Sequence, residues 1–259
     1  EYASFISIIT QSQEARVLVN DYAVIDEVEL LLQETAYDSS KLKFYLKKTN
    51  DSWVRDCGPD FLINKESKEK IILDWEYNAW GEKYPPFDDD NEVPLFIAEQ
   101  FGLKSITTDF VLEGGSFEIN ELGDLLTTRS CLLNSNRNPF YDEEIITEVL
   151  KKYLGVKNVF WLNEGIVGDD TDGHIDDFCR VVPGGKVLLS HTDDANNPNF
   201  QILNSAKEQL SGFGKFDIID LPMPKPILYK EGEYLPASYA NYCLTNGHVI
   251  VPVFGDDND

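Results

Sequence analysis

The 259-residue chain has room for one large domain or two small ones, and its 42% hydrophobic and 26% charged residues are ordinary for a folded globular protein. Its 46 acidic residues against 22 basic ones give a formal net charge of −24. That charge argues against nucleic acid and anionic membrane as partners; it suits a cationic ligand, and also plain solubility.

The periodicity predicts one pattern four times: an amphipathic helix, a strand ending in polar residues, then further strands. In the first round a helix is expected over Val24–Glu34, a strand over Leu42–Leu46, and strands near Phe61–Ile63 and Ile71–Leu73. The second has a helix over Val93–Phe101 with Pro94 in its first turn, then strands over Thr107–Leu112 and Leu125–Thr128. The third has a helix over Asp142–Tyr153, acidic early and basic late as its dipole favours, and strands over Asn158–Leu162, Phe178–Val182 and Lys186–Ser190. In the fourth, a helix over Phe200–Leu210 and a strand over Phe216–Leu221 precede a Pro-rich loop, and His248–Phe254 is the last strand. If the rounds surround an axis, the polar residues after three of the strands converge on it.

Those polar residues include Trp53, Arg55 and Asp56 in the first round and Glu113 before Gly114-Gly115 in the second. The third supplies Gly168–Asp177, ten residues holding five aspartates and one of only three histidines. Packing so many carboxylates together is electrostatically costly, which fits a site that needs a cation or a proton transfer. From the residues alone each has a plainer reading too. Asp56 could pair with its neighbour Arg55, Glu113 could be a turn residue, His174 a surface histidine, Trp53 a core residue and Asp170 part of a solvated loop.

The longest apolar runs are too short to span a bilayer, and the first residues lack a basic leader segment. Four dispersed cysteines, Cys57, Cys131, Cys179 and Cys243, predict reduced thiols in a cytoplasmic protein. All four read as packing cysteines in strands or core. Three separated histidines and no Cys pair make no transition-metal site evident, and no cofactor is expected. Calcium at Asp88–Asp90 or at Asp169, Asp170 and Asp172 is a weaker reading, because the spacing departs from an EF-hand loop.

The stretches NDSWVRDCGP, DWEYNAWGEKYPPFDDD, LEGGSFEINELGDLLTT, CLLNSNRNP, GDDTDGHIDD and LPASYANYCLTNGHVIVPVFGDDND run in order from Asn50 to Asp259. On them the chain resembles the agmatine deiminases, within the bacterial peptidylarginine deiminase family of the guanidine-modifying (pentein) superfamily. The resemblance implies a single α/β propeller domain over residues 1–259, five-bladed and built of ββαβ repeats, with about four blades covered. It also implies that Asp56 and Asp176 grip a guanidinium, that His174 is the general acid/base and that Glu113 orients or polarises it. Trp53 and Asp170 would then bind the substrate, Asp170 through a distal amine. A cysteine thiolate would attack the guanidinium carbon, ammonia would leave, and water would release a ureido product.

The nucleophile is expected in a motif resembling Gly-x-x-His-Cys-x-Thr, and none of the four cysteines has those neighbours. Truncation at both ends is therefore expected, with the nucleophile beyond residue 259 and this stretch inactive by itself. Agmatine is the first choice of substrate and putrescine synthesis the implied role. Peptidylarginine deimination and a non-catalytic guanidino- or polyamine-binding module are the alternatives. A homo-oligomer is also expected.

Overall fold

An antiparallel strand pair, a helix and a third strand parallel to the second recur along the chain. A computed structural model describes residues 2–230 and 232–259, and among them three such ββαβ units are complete. The first has β3 (Asp60–Ile63), β4 (Lys70–Glu76), the helix Val93–Phe101 and β5 (Lys104–Val111). The second has β6 (Phe117–Ile119), β7 (Asp124–Thr128), the helix Glu143–Leu154 and β8 (Asn158–Leu162). The third has β9 (Cys179–Val182), β10 (Lys186–His191), the helix Phe200–Gly212 and β11 (Asp217–Pro222).

Two partial units flank them. β1 (Ala15–Val19) and β2 (Leu42–Leu46) pair in parallel across the helix Ala23–Leu32, like the last two strands of a unit. β14 (Cys243–Thr245) and β15 (His248–Ile250) form an antiparallel pair, like the first two. A small hairpin of β12 (Leu228–Lys230) and β13 (Glu233–Tyr234) lies between them in the chain. The ββαβ repeat that the resemblance implies is present, and the helix-first rounds of the periodicity are the same repeat begun one strand pair later. The sheets place the strand pair before the helix, so the polar residues after β2, β5 and β8 lie on the crossovers between units.

The local chemistry explains the helix ends. The Asp142 side chain accepts from the Ile145 amide at 2.9 Å, and Gly155 closes the same helix at φ 67°, where a side chain would be strained. Its apolar stripe brings Ile146 and Leu150 onto Leu73, Trp75, Leu125 and Trp161, joining the first and second sheets in one core. The opposite face of β7 sends Leu126 into a second core with Leu162, Val187, Leu189, Leu203 and Leu210. Each fully buried leucine contributes about 1.5–3 kcal/mol. The crossovers after β5 and β8 thus run between strands that send Phe110, Phe117, Leu162 and Cys179 into these cores. Among the described residues no helix is long and apolar enough to cross a membrane.

Candidate active site

Three short crossover turns meet. Val54–Cys57 follows β2, Gly114–Ser116 follows β5, and Ile175–Asp177 follows the loop after β8. The contact is close enough to require glycine. A β-carbon on Gly114 would lie 2.1 Å from the Arg55 carbonyl oxygen. One on Gly115 would lie 2.5 Å from His174 Nδ1, 2.8 Å from Asp56 Oδ1 and 3.0 Å from Asp176 Oδ1. Two carboxylates and an imidazole from two different crossovers therefore crowd round the Gly115 α-carbon too closely to admit a methyl group.

Each group is held. Asp56 is buried; its Oδ1 accepts from the Gly115 amide at 2.8 Å and its Oδ2 from Trp80 Nε1 at 3.1 Å. Asp176 Oδ2 accepts from Arg55 Nε at 3.1 Å, while Oδ1 is the oxygen that faces Gly115. Burial pushes the Asp176 carboxyl up to about 6, against the pull of His174 and Arg55. Arg55 also reaches Glu118 at 3.2 Å, and Glu118 in turn holds Arg180 at 2.8 Å. Arg55 is therefore partner to Asp176 and Glu118, so the plain reading of a local pair with Asp56 does not hold.

His174 lies 3.7 Å from Asp56 Oδ1 through Nδ1, and is 3% exposed, so it is no surface histidine. Burial works against its charged form, but Asp56, Cys131 and Glu113 outweigh that and hold the ring well above the usual imidazole range. Glu113 ends the extended stretch after β5 with no exposure at all, and its Oε1 accepts from Arg137 Nε at 2.7 Å. Glu113 Oε2 and His174 Nε2 are buried without a hydrogen-bond partner.

The five aspartates of the third-round segment have separate partners, which offsets the cost of gathering them. Asp169 accepts from the Thr171 and His174 amides, each at 2.8 Å, and so shapes the turn. Asp170 takes the Tyr84 hydroxyl. Asp172, at φ 71°, pairs with Arg137 and with Lys83, the latter at 2.7 Å. Asp176 takes Arg55, and Asp177 accepts from Asn241 at 2.6 Å. Asp90 is likewise engaged, accepting from the Asn50 amide at 2.8 Å.

Asp56, Glu113, His174 and Asp176 are thus brought together. The Trp53 and Asp170 side chains share no hydrogen bond or ion pair with those four among the described residues. Trp53 is 57% exposed before the Val54–Cys57 turn, which excludes the core reading. Cys57 packs with Tyr77, Trp80 and Val93, and burial pushes its thiol up to about 12, in keeping with a packing role. Cys179 lies buried on β9 and Cys243 exposed on β14.

Three contributors escaped sequence reasoning. Arg137 is completely buried and fixes Glu113 and Asp172 together. Trp80 fixes Asp56. Cys131 is a core residue as expected, yet one face of it meets the site. Its sulfur, a carboxylate oxygen of Glu113 and a ring nitrogen of His174 lie within 4.8 Å of one another, a possible ligand set that sequence spacing concealed.

The family of Porphyromonas-type peptidyl-arginine deiminases matches over residues 1–259. The chain belongs to that family. A curated agmatine deiminase of Ectopseudomonas mendocina is 38% identical over 249 residues, covering 86% of this chain and 67% of the relative. A relative from Vibrio parahaemolyticus is 37% identical over 81% of this chain, which spans 65% of its length. The chain thus spans about two thirds of the length of the curated relatives it matches. Among solved structures, the agmatine deiminase of Enterococcus faecalis superposes with a TM-score of 0.89 at 33% identity, covering 100% of this chain and 76% of the other. A cysteine-to-serine variant of C. jejuni agmatine deiminase with substrate bound gives 0.89 at 32% identity, covering 99% and 74%.

Proposed function

We propose that the protein deiminates the guanidino group of a small cationic substrate, agmatine, to a ureido product and ammonia. The observation that carries this reading is the convergence of Asp56 Oδ1, Asp176 Oδ1 and His174 Nδ1 around Gly115. A guanidinium is planar and presents fixed pairs of N–H donors, which two carboxylates can take in parallel charge-assisted hydrogen bonds. Arg55 and Trp80 orient those carboxylates from behind. The relatives named agmatine deiminases support the substrate.

The chemistry follows from the charges. The two carboxylates keep the guanidinium cationic and its carbon electrophilic. A thiolate adds to that carbon, His174 gives its proton to the leaving ammonia, and an amidino-thioether remains. Neutral His174 then takes a proton from the water that releases the ureido product. We do not assign the thiolate to Cys57 or Cys131, whose thiols burial makes harder to ionise. The resemblance implies a thiolate in a Gly-x-x-His-Cys-x-Thr motif, which none of the four cysteines occupies.

Asp170 is proposed to take the distal ammonium. Lys83 is spent on Asp172, so among the described residues the carboxylate of Asp170 has only the neutral Tyr84 hydroxyl as partner. A free arginine would bring a carboxylate toward this acidic rim.

The test is product analysis after incubation of the enzyme with agmatine, arginine and a peptidylarginine. Ammonia and N-carbamoylputrescine should appear in equal amounts from agmatine. Ammonia from peptidylarginine alone would overturn the substrate, and agmatine binding with no turnover would leave a guanidino-binding module.

A further inference from the structure

The trio Glu113, Cys131 and His174 has features that deimination does not use. It is a mixed carboxylate, thiol and imidazole set, wholly buried, with ligand atoms within 4.8 Å of one another. Two of its polar atoms, Glu113 Oε2 and His174 Nε2, have no protein partner. A buried polar atom without a partner costs free energy, about 1–3 kcal/mol, so two on residues clustered with one thiol mark a place where a bound group would be stabilised.

We propose that these three side chains form a binding site for Zn2+, closing the ion inside the site in a three-ligand, four-coordinate arrangement. Sulfur, nitrogen and carboxylate oxygen together are a zinc donor set, whereas the harder calcium and magnesium ions favour oxygen alone. Tetrahedral zinc needs ligand atoms roughly 3.3–3.8 Å apart, so the present spacing requires only small side-chain shifts.

The surroundings already have the form of a metal site's outer shell. Glu113 Oε1 is fixed by Arg137 at 2.7 Å, which leaves Oε2 without a protein partner. His174 Nδ1 faces Asp56 at 3.7 Å, the carboxylate behind an imidazole that commonly sets its tautomer in zinc proteins. The charges also balance. Cys131 and His174 each release a proton to solvent on binding, and the glutamate and thiolate then neutralise the ion. The Asp56 and Arg137 charges offset each other nearby.

Zinc held here would occupy His174, the group that must give and take protons. The ion is therefore an inhibitor of the proposed reaction and competes with its substrate. That consequence rests on the deiminase reading; the binding does not, and the test below reads binding alone.

Co2+ is titrated into the metal-free 259-residue chain and the absorption followed, then Zn2+ is added and the thermal unfolding midpoint measured. One equivalent of Co2+ should give tetrahedral d–d bands and a thiolate charge-transfer band, both lost on adding Zn2+. Zinc should raise the unfolding midpoint. Cys131→Ala should abolish the charge-transfer band and weaken zinc binding at least tenfold, and Glu113→Gln should weaken it by a similar factor while leaving every cysteine in place. Cys243→Ser, which removes the exposed thiol, should change neither. Absence of a charge-transfer band in the unsubstituted chain overturns the proposal. So does a band that survives Cys131→Ala or disappears in Cys243→Ser, or zinc affinity that Glu113→Gln leaves unchanged.

Discussion

Gly115→Ala probes the convergence of the three crossovers with a single methyl group. The φ of Gly115 lies outside the left-handed region, so alanine meets no backbone penalty there, and the whole effect falls on what the methyl touches. It would sit 2.5 Å from His174 Nδ1, 2.8 Å from Asp56 Oδ1 and 3.0 Å from Asp176 Oδ1, whereas ordinary contact begins near 3.4 Å. The imidazole must therefore retreat by about 0.9 Å and the carboxylates by about half that, in a close-packed interior. Overpacking of this kind costs about 1–3 kcal/mol of stability. Misplacing reacting groups by about 1 Å costs about 100-fold in rate, equivalent to about 2.7 kcal/mol of transition-state stabilisation. Ammonia release from agmatine, in protein that also carries the attacking cysteine, and urea unfolding measure the two losses in one preparation. Gly114→Ala is the comparison, since its methyl strikes the Arg55 backbone instead of the reacting groups. Gly115→Ala should lose more activity than stability, and Gly114→Ala more stability. Undiminished kcat/KM in folded Gly115→Ala would show that the three groups do not act together at this point.

Arg137→Met should destabilise the protein by about 3–5 kcal/mol, because it strands the buried Glu113 carboxylate; a loss under about 1 kcal/mol in urea unfolding would contradict the pairing. Asp170→Asn should raise KM for agmatine about tenfold while changing kcat much less, and unchanged steady-state kinetics would remove Asp170 from binding. Burial raises the Asp124 carboxyl, but the Lys215 ion pair at 2.8 Å and the Asn158 and Asn120 hydrogen bonds outweigh it and hold the group below its usual range. Its stabilisation is therefore present above about pH 4 and lost as pH falls through the lowered value. Urea midpoints measured against pH should show a shallower acid decline in Asp124→Asn, and an unaltered decline would contradict that sign.

Legibility followed local signal. The helix Glu143–Leu154 shows its apolar stripe and the flanking Asp142 and Gly155 caps, and Val93–Phe101 has Pro94 in its first turn and Gly102 at its end; the sequence predicts both to within one residue. Tyr2–Ser12 and β1 were not foreseen, since the helix is rich in β-branched and Ser/Thr residues and Ala-Arg-Val-Leu-Val lacks alternation. β6 has only three residues, too few to show a period. The last strand was expected to reach Phe254 but ends at Ile250, two residues before Pro252, which has no amide hydrogen to donate.

In the site, Asp56, Glu113, His174 and Asp176 were legible from motifs that each hold an unusual polar residue beside a turn. Their supports were not. Trp80 reaches Asp56 across 24 positions, and Arg137 reaches Glu113 across 24. Cys131 meets His174 only because β7 and the Ile175–Asp177 turn pack together, with the Thr128 hydroxyl donating to the Gly173 carbonyl. Such contacts depend on the arrangement of units and leave no trace in spacing. The weak Gly114-Gly115 signal gained its meaning only from what each glycine faces.

The central claim is that Asp56 and Asp176 recognise a guanidinium. Calorimetric titration of agmatine and of putrescine, which ends in an amine where agmatine has the guanidino group, tests it most directly. Agmatine should bind at least about tenfold more tightly, a difference of about 1.4 kcal/mol, and Asp56→Asn should remove that preference. Equal affinity for the two, or a preference that survives Asp56→Asn, would contradict the account.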